Sequence, residues 1–166
     1  MFSFAQALVN IDGATNWDTS GVLSMQGLFQ SASSLEDISG ASCWNLSNAT
    51  NIAGVFEETK LSDLDALATK QCENRNYISW DVSNVENMAY LFYSKSNTLT
   101  DIPGVSNWNT SNVTNMSSMF YGNKSIDLDA LSTGQREGKD YVSWDVSKVE
   151  NMGAMFSHAT ALTDIR

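Results

Sequence analysis

The sequence predicts an α/β solenoid of tandem coils, each coil contributing one short parallel strand and one short helix. Two observations carry the prediction. A block that opens on Trp, continues with Asp or Asn, any residue and Ser, and closes on Phe occurs five times, at residues 17–29, 44–56, 80–92, 108–120 and 144–156. These blocks hold all five tryptophans and six of the seven methionines, so the chain is an internal repeat. Within a block the apolar spacing changes from two residues to between three and four, the change that separates a strand from a helix.

The strand is read from Ile78, Trp80 and Val82, which alternate with Ser79 and Asp81 as a half-buried strand requires. The helix is read from the residues after it. Ser83-Asn84-Val85-Glu86 and Ser147-Lys148-Val149-Glu150 have the form of a capping box, in which a serine hydroxyl and a glutamate satisfy the first free amides of a helix. Val85, Met88, Leu91 and Phe92 then fall on one face of a helix of about nine residues. A helix that short is unstable alone and has to bury its apolar stripe against the next coil.

The whole chain, 1–166, reads as a single repeat domain of about five coils, with motif starts at Trp17, Trp44, Trp80, Trp108 and Trp144. Successive starts lie 27, 36, 28 and 36 residues apart. The longer spacings come from insertions at 60–77 and 124–141 that share the pattern Asp-Leu-Asp-Ala-Leu, at Asp63 to Leu67 and Asp127 to Leu131, and are expected on one edge of the array. Met1-Phe2 precedes Trp17 as Leu28-Phe29 precedes Trp44, so both ends are expected to be truncated within repeats. Open repeat ends would allow self-association, because the end of a stacked array has to be covered.

The motif from Trp108 through Asn109-Thr110-Ser111-Asn112-Val113-Thr114-Asn115-Met116-Ser117-Ser118-Met119 to Phe120 resembles the repeat of the BspA-like leucine-rich-repeat surface proteins and of a related bacterial lipoprotein repeat family of unknown function. The resemblance extends over essentially the whole chain. It implies an LRR-like solenoid displayed at a cell surface, with a role in adhesion or partner binding. The alternation of shorter and longer spacings departs from the uniform repeat of that family.

Composition narrows the partners. A net charge of −10 and a pI near 4.3 argue against nucleic acid, whose phosphates are bound by clustered basic residues. No apolar run is long enough to span a bilayer. Residues 1–8 have no signal-peptide character. No cofactor is implied. The lone histidine, His158, has no nucleophile placed around it, so a non-catalytic protein is expected.

Four sets of residues are candidate sites. Asp18, Asn45, Asp81, Asn109 and Asp145, one after each Trp, would line the outer strand face where LRR-type proteins bind partners; alternatively they make local turns. A second row, Asn10, Asp37, Asp63, Asp101, Asp127 and Asp164, either caps backbone or holds calcium. Asn123, in Asn123-Lys124-Ser125, is the glycosylation candidate. Cys43 and Cys72 could close a disulfide around the first long insertion. The leading expectation is an extracellular or cell-surface module that recognises a protein or glycan partner, and the runner-up is a structural subunit of a filament or rigid linker.

Overall fold

The structure, a computed structural model, describes residues 1–68, 70–71, 78–96, 98–100, 103–105, 107–123, 132–136, 139–142, 144–160 and 162. Among these there is no α-helix, and the predicted α/β solenoid is not the fold. Regular structure among the described residues is limited to four single 3-10 turns, at Asp12–Ala14, Ser39–Ala41, Asp65–Leu67 and Pro103–Val105, and two antiparallel hairpins. Strand β1, Lys70–Gln71, pairs with β2, Ile78–Ser79, and β3, Ser132–Arg136, pairs with β4, Lys139–Val142. Each hairpin has its first strand in one of the two long insertions. The repeats themselves stack as ladders of turns.

Backbone hydrogen bonding explains why no helix forms. The amides of Met25, Gly27, Phe29 and Ser31 donate to the carbonyls of Asn51, Ala53, Val55 and Glu57 in the next repeat, at 2.7–3.0 Å. Between them, Leu28, Gln30 and Ala32 donate back three residues, to Met25, Gly27 and Phe29. Amides thus alternate between the neighbouring repeat and the local turn. An α-helix sends every amide back four residues and has none to give sideways. The same alternation joins Ile52, Gly54, Phe56 and Glu58 to Asn87, Ala89, Leu91 and Tyr93, and Met88 to Asn115.

This ribbon needs left-handed backbone at regular intervals. Glycine supplies it at Gly27, Gly54 and Gly122, with φ of 61°, 62° and 78°, but Ser31, Glu58, Tyr90, Ser118, Ala154 and His158 adopt it too. Each non-glycine residue there costs about 1–2 kcal/mol, which the repeat-to-repeat hydrogen bonds offset.

The tryptophan segment is not a strand of a parallel ladder either. Trp80 has φ of 49°, which breaks the extended backbone predicted for 78–82, and Ile78–Ser79 pairs with its own insertion. Parallel pairing between repeats occurs instead as single-residue bridges, Ser24 to Asn51, Asn51 to Asn87, Asn87 to Asn115 and Asn115 to Asn151, with a further bridge between Asn10 and Asp37.

The core consists of two aromatic columns running side by side. Phe2, Phe29, Phe56, Phe92, Phe120 and Phe156 stack at centroid spacings of 5.6–6.2 Å. Trp17, Trp44, Trp80 and Trp108 stack at 5.8–6.3 Å, and Trp144 packs on Phe120. Each buried indole N–H reaches the last carbonyl of a 3-10 turn: Trp44 to Ala14, Trp80 to Ala41, Trp108 to Leu67 and Trp144 to Val105, at 2.7–3.1 Å. Tryptophan therefore fills the core and pins one repeat to an earlier one. The turns lie close enough that a Cβ on Gly40 would sit 1.9 Å from the Ile11 carbonyl oxygen, and one on Gly104 would sit 2.1 Å from that of Leu64.

Candidate functional site

The residues after each tryptophan act first on their own backbone. The Oδ1 atoms of Asp18, Asn45, Asp81, Asn109 and Asp145 accept the amides of Ser20, Ser47, Ser83, Ser111 and Ser147, at 2.9–3.2 Å. These are Asx turns, and the serines read as helix caps are their amide donors. The Asp145 carboxyl is held below its ordinary value, chiefly by the Ser147 amide. Asp18, Asn109 and Asp145 are exposed, whereas Asn45 and Asp81 are half-buried.

The second row behaves alike where it is described. Asn10, Asp37 and Asp63 accept the amides of Asp12, Ser39 and Asp65, at 3.4, 2.8 and 3.4 Å. Asp101, Asp127 and Asp164 lie outside the described residues. Among the described residues no group of three or more His, Cys, Asp and Glu side chains is arranged to hold a metal ion.

A third row makes the same turn. Asn51, Asn87, Asn115 and Asn151 accept the amides of Ala53, Ala89, Ser117 and Gly153, at 2.9–3.0 Å. Asn51 also donates Nδ2 to Gln26 Oε1 in the preceding repeat at 3.2 Å, and a different row of asparagines bonds between repeats as well. Asn48, Asn84 and Asn112 donate Nδ2 to the carbonyls of Ser20, Ser47 and Ser83, at 2.7–2.8 Å.

Asn123 is fully buried, with Nδ2 donating to the Phe92 carbonyl at 2.7 Å. In the folded chain the nitrogen that would carry a glycan is thus enclosed and hydrogen-bonded. Cys43 is disulfide-bonded; Cys72, the only other cysteine of the sequence, lies outside the described residues. His158 is exposed, with its ring 4.9 Å from that of Tyr121.

The most distinctive surface chemistry lies at the register position one after each core phenylalanine. Gln30, Glu57, Tyr93 and Tyr121 stand there in successive repeats. Gln30 donates Nε2 to Glu57 Oε2 at 2.8 Å, and Tyr93 stacks on Tyr121 at 4.7 Å and 14°. Tyr90, 44% exposed, meets Tyr93 at 5.9 Å with the rings tilted by 54°. Glu57, Tyr90 and Tyr93, together with Ser31, Ser33, Glu58, Lys95 and Ser96, border an open groove of about 510 Å³.

Electrostatics in the groove are largely settled internally. Lys95 Nζ lies 3.4 Å from Glu58 and 5.6 Å from the centre of the Tyr93 ring, and its pKa is raised, chiefly by the bond to Glu58. Burial pushes the Glu57 carboxyl above its ordinary value; the Gln30 hydrogen bond opposes this, and the Glu58 charge adds to it. A search for residues repeated in kind passes over this column. The signal available in the sequence was that position in four successive repeats, Gln30, Glu57, Tyr93 and Tyr121, whereas serine follows Phe2 and Phe156.

A stack of turn-built repeats around paired Phe and Trp columns is the class that the fold and surface define. The chain belongs to the family described as Mycoplasma protein of unknown function, DUF285, which matches it twice, over residues 1–78 and 62–165. No curated protein matches the chain, and no solved structure does. No helix among the described residues is long and apolar enough to cross a membrane.

Proposed function

We propose that this chain is a non-catalytic recognition module, displayed at the cell surface or outside the cell, that engages a protein or glycan partner along the tyrosine-lined groove. The observation that carries the reading is a contrast in how polar groups are used. The recurring Asx oxygens take local amides, whereas Tyr90 and the carboxylate-bearing edge beside it present aromatic and polar surface in a concave setting. Exposed tyrosine is enriched in binding sites because its ring offers large contact area at low entropic cost. The disulfide at Cys43 supports the compartment, since such bonds persist in oxidising surroundings. Kinship with the BspA-like leucine-rich-repeat surface proteins is part of the proposal. It rests on the motif from Trp108 to Phe120 and concerns surface display, not strand-and-helix coils.

The test is binding of the labelled chain to immobilised glycans and extracellular-matrix proteins, compared with a Tyr90→Ser/Tyr93→Ser variant whose thermal melt shows that it folds. Loss of about tenfold or more in affinity, equivalent to about 1.4 kcal/mol, is expected. Binding unchanged in that variant but removed by replacing Asp18, Asp81 and Asp145 would move the contact face to the Asx row and overturn the groove.

A second reading, a structural subunit that stacks end to end, is favoured by one observation. Trp17 is 37% exposed and Met152 44% exposed, whereas Trp44, Trp80, Met88 and Met116 at the same register positions are fully buried. Sedimentation velocity decides: mass that grows with protein concentration supports this reading, and a constant monomer mass excludes it.

A further inference from the structure

We infer that the groove accepts a neutral carbohydrate, with the face of a sugar ring against Tyr90 and its hydroxyls on the surrounding carboxylate and serine groups. The inference rests on the recognition reading above and specifies its ligand class. Tyr90 and Tyr93 form a corner of two rings at 54°, one of them 44% exposed. Tyr93 is braced by Tyr121, stacked on it at 4.7 Å and 14°. A wall fixed before binding loses little side-chain entropy when the ligand arrives. Aromatic faces carry partial negative charge and attract the slightly positive C–H face of a pyranose.

Charge is what separates a sugar from other ligands. A cationic partner would seek the aromatic ring and the carboxylates together, but Lys95 already occupies that place, 5.6 Å from the Tyr93 ring centre and 3.4 Å from Glu58. An anionic partner meets Glu57 and Glu58. A neutral ligand displaces no ion pair and leaves no charge unpaired. What remains for it is hydroxyl chemistry. Glu57, steadied by Gln30 at 2.8 Å, is a fixed acceptor for adjacent sugar hydroxyls, and Ser31, Ser33 and Ser96 supply further donors and acceptors around the rim. The volume of about 510 Å³ lies in the range of small-ligand sites, and the open form admits a chain that continues beyond the groove.

The test is a nitrogen-15 amide titration of the full chain with neutral tetrasaccharides of glucose and of N-acetylglucosamine, and separately with a trilysine peptide. Saturable shifts at Glu57, Tyr90, Tyr93 and Ser96 with a tetrasaccharide are expected. They should weaken about tenfold in Tyr90→Ser and change less than about twofold in Lys148→Met, a residue outside the groove. Tyr90 is exposed, so its variant should fold, and the unchanged remainder of the spectrum verifies that. Absence of saturable shifts with every tetrasaccharide overturns the inference. Shifts at the same residues with trilysine alone also overturn it, while leaving the groove as a recognition site; shifts nowhere in the groove with any probe count against both.

Discussion

Trp108 shows how much one side chain does here. Its ring is buried between repeats and its N–H donates to the Leu67 carbonyl at 3.0 Å. Trp108→Ala should cost about 3–5 kcal/mol, the range for removing a large aromatic from a packed core. Trp108→Phe keeps a ring in the column but leaves the Leu67 carbonyl unpaired, and should cost about 1–3 kcal/mol. Urea melts of the two variants separate ring from donor; equal losses would mean that the hydrogen bond, and not the ring, carries the whole effect. Glu57 provides a pH-dependent case. Because its pKa is raised, the folded chain holds that proton more tightly than the unfolded chain does. This favours folding below the ordinary carboxyl value, and the effect is lost as pH rises through the raised value. Glu57→Gln removes the titration and keeps an acceptor for Gln30, so it should stabilise the fold at about pH 7 and change little at about pH 4. Chemical denaturation at both values checks the sign.

At the scale of the element, the Asx turn replaces the helix cap. Asn87→Ala would leave the Ala89 amide without its acceptor, now 3.0 Å away, and should lower stability by about 1 kcal/mol in a urea melt. The same geometry explains what was legible in the sequence. The tryptophans and phenylalanines that form the core could be read, because burial repeats with the residues that require it. Element type could not. Met25, Leu28, Phe29 and Ala32 have helical spacing, yet overlapping three-residue turns place side chains at nearly the same intervals; only the amide partners differ, and those lie a whole repeat away. Serines that looked like caps proved to be donors to the Asx two residues before them, a pattern that local spacing alone does not separate from a capping box. The groove escaped because its lining residues, Ser31, Glu57, Tyr90, Tyr93 and Lys95 among them, share neither a type nor a single register position. The disulfide at Cys43 adds a covalent constraint, and its reduction should destabilise the chain by about 2–4 kcal/mol. Melts with and without reductant measure this, and peptide mapping of the oxidised chain tests whether Cys72 is the partner.

Across the whole molecule, stability should depend on position along the stack, because each repeat bonds and packs chiefly with its neighbours. Trp80 is fully buried, stacks on Trp44 and Trp108, packs on Phe56 and reaches the Ala41 carbonyl. Trp17 stacks on Phe2 and Trp44 and is 37% exposed. Removing Trp80 therefore opens interfaces on both sides, and the groups around it have no solvent to replace what they lose. Removing Trp17 loosens one end. The expected costs are about 3–5 kcal/mol for Trp80→Ala and about 1–2 kcal/mol for Trp17→Ala, the difference tracking buried area and the number of stacked partners. Amide hydrogen exchange should show the same asymmetry: Trp80→Ala should release amides in the repeats before and after it, while Trp17→Ala should release those of 1–31 and leave 85–123 protected. Equal losses at the two positions, or exchange that spreads uniformly through the chain, would mean that the repeats unfold as one unit and that neighbour stacking does not set their stability.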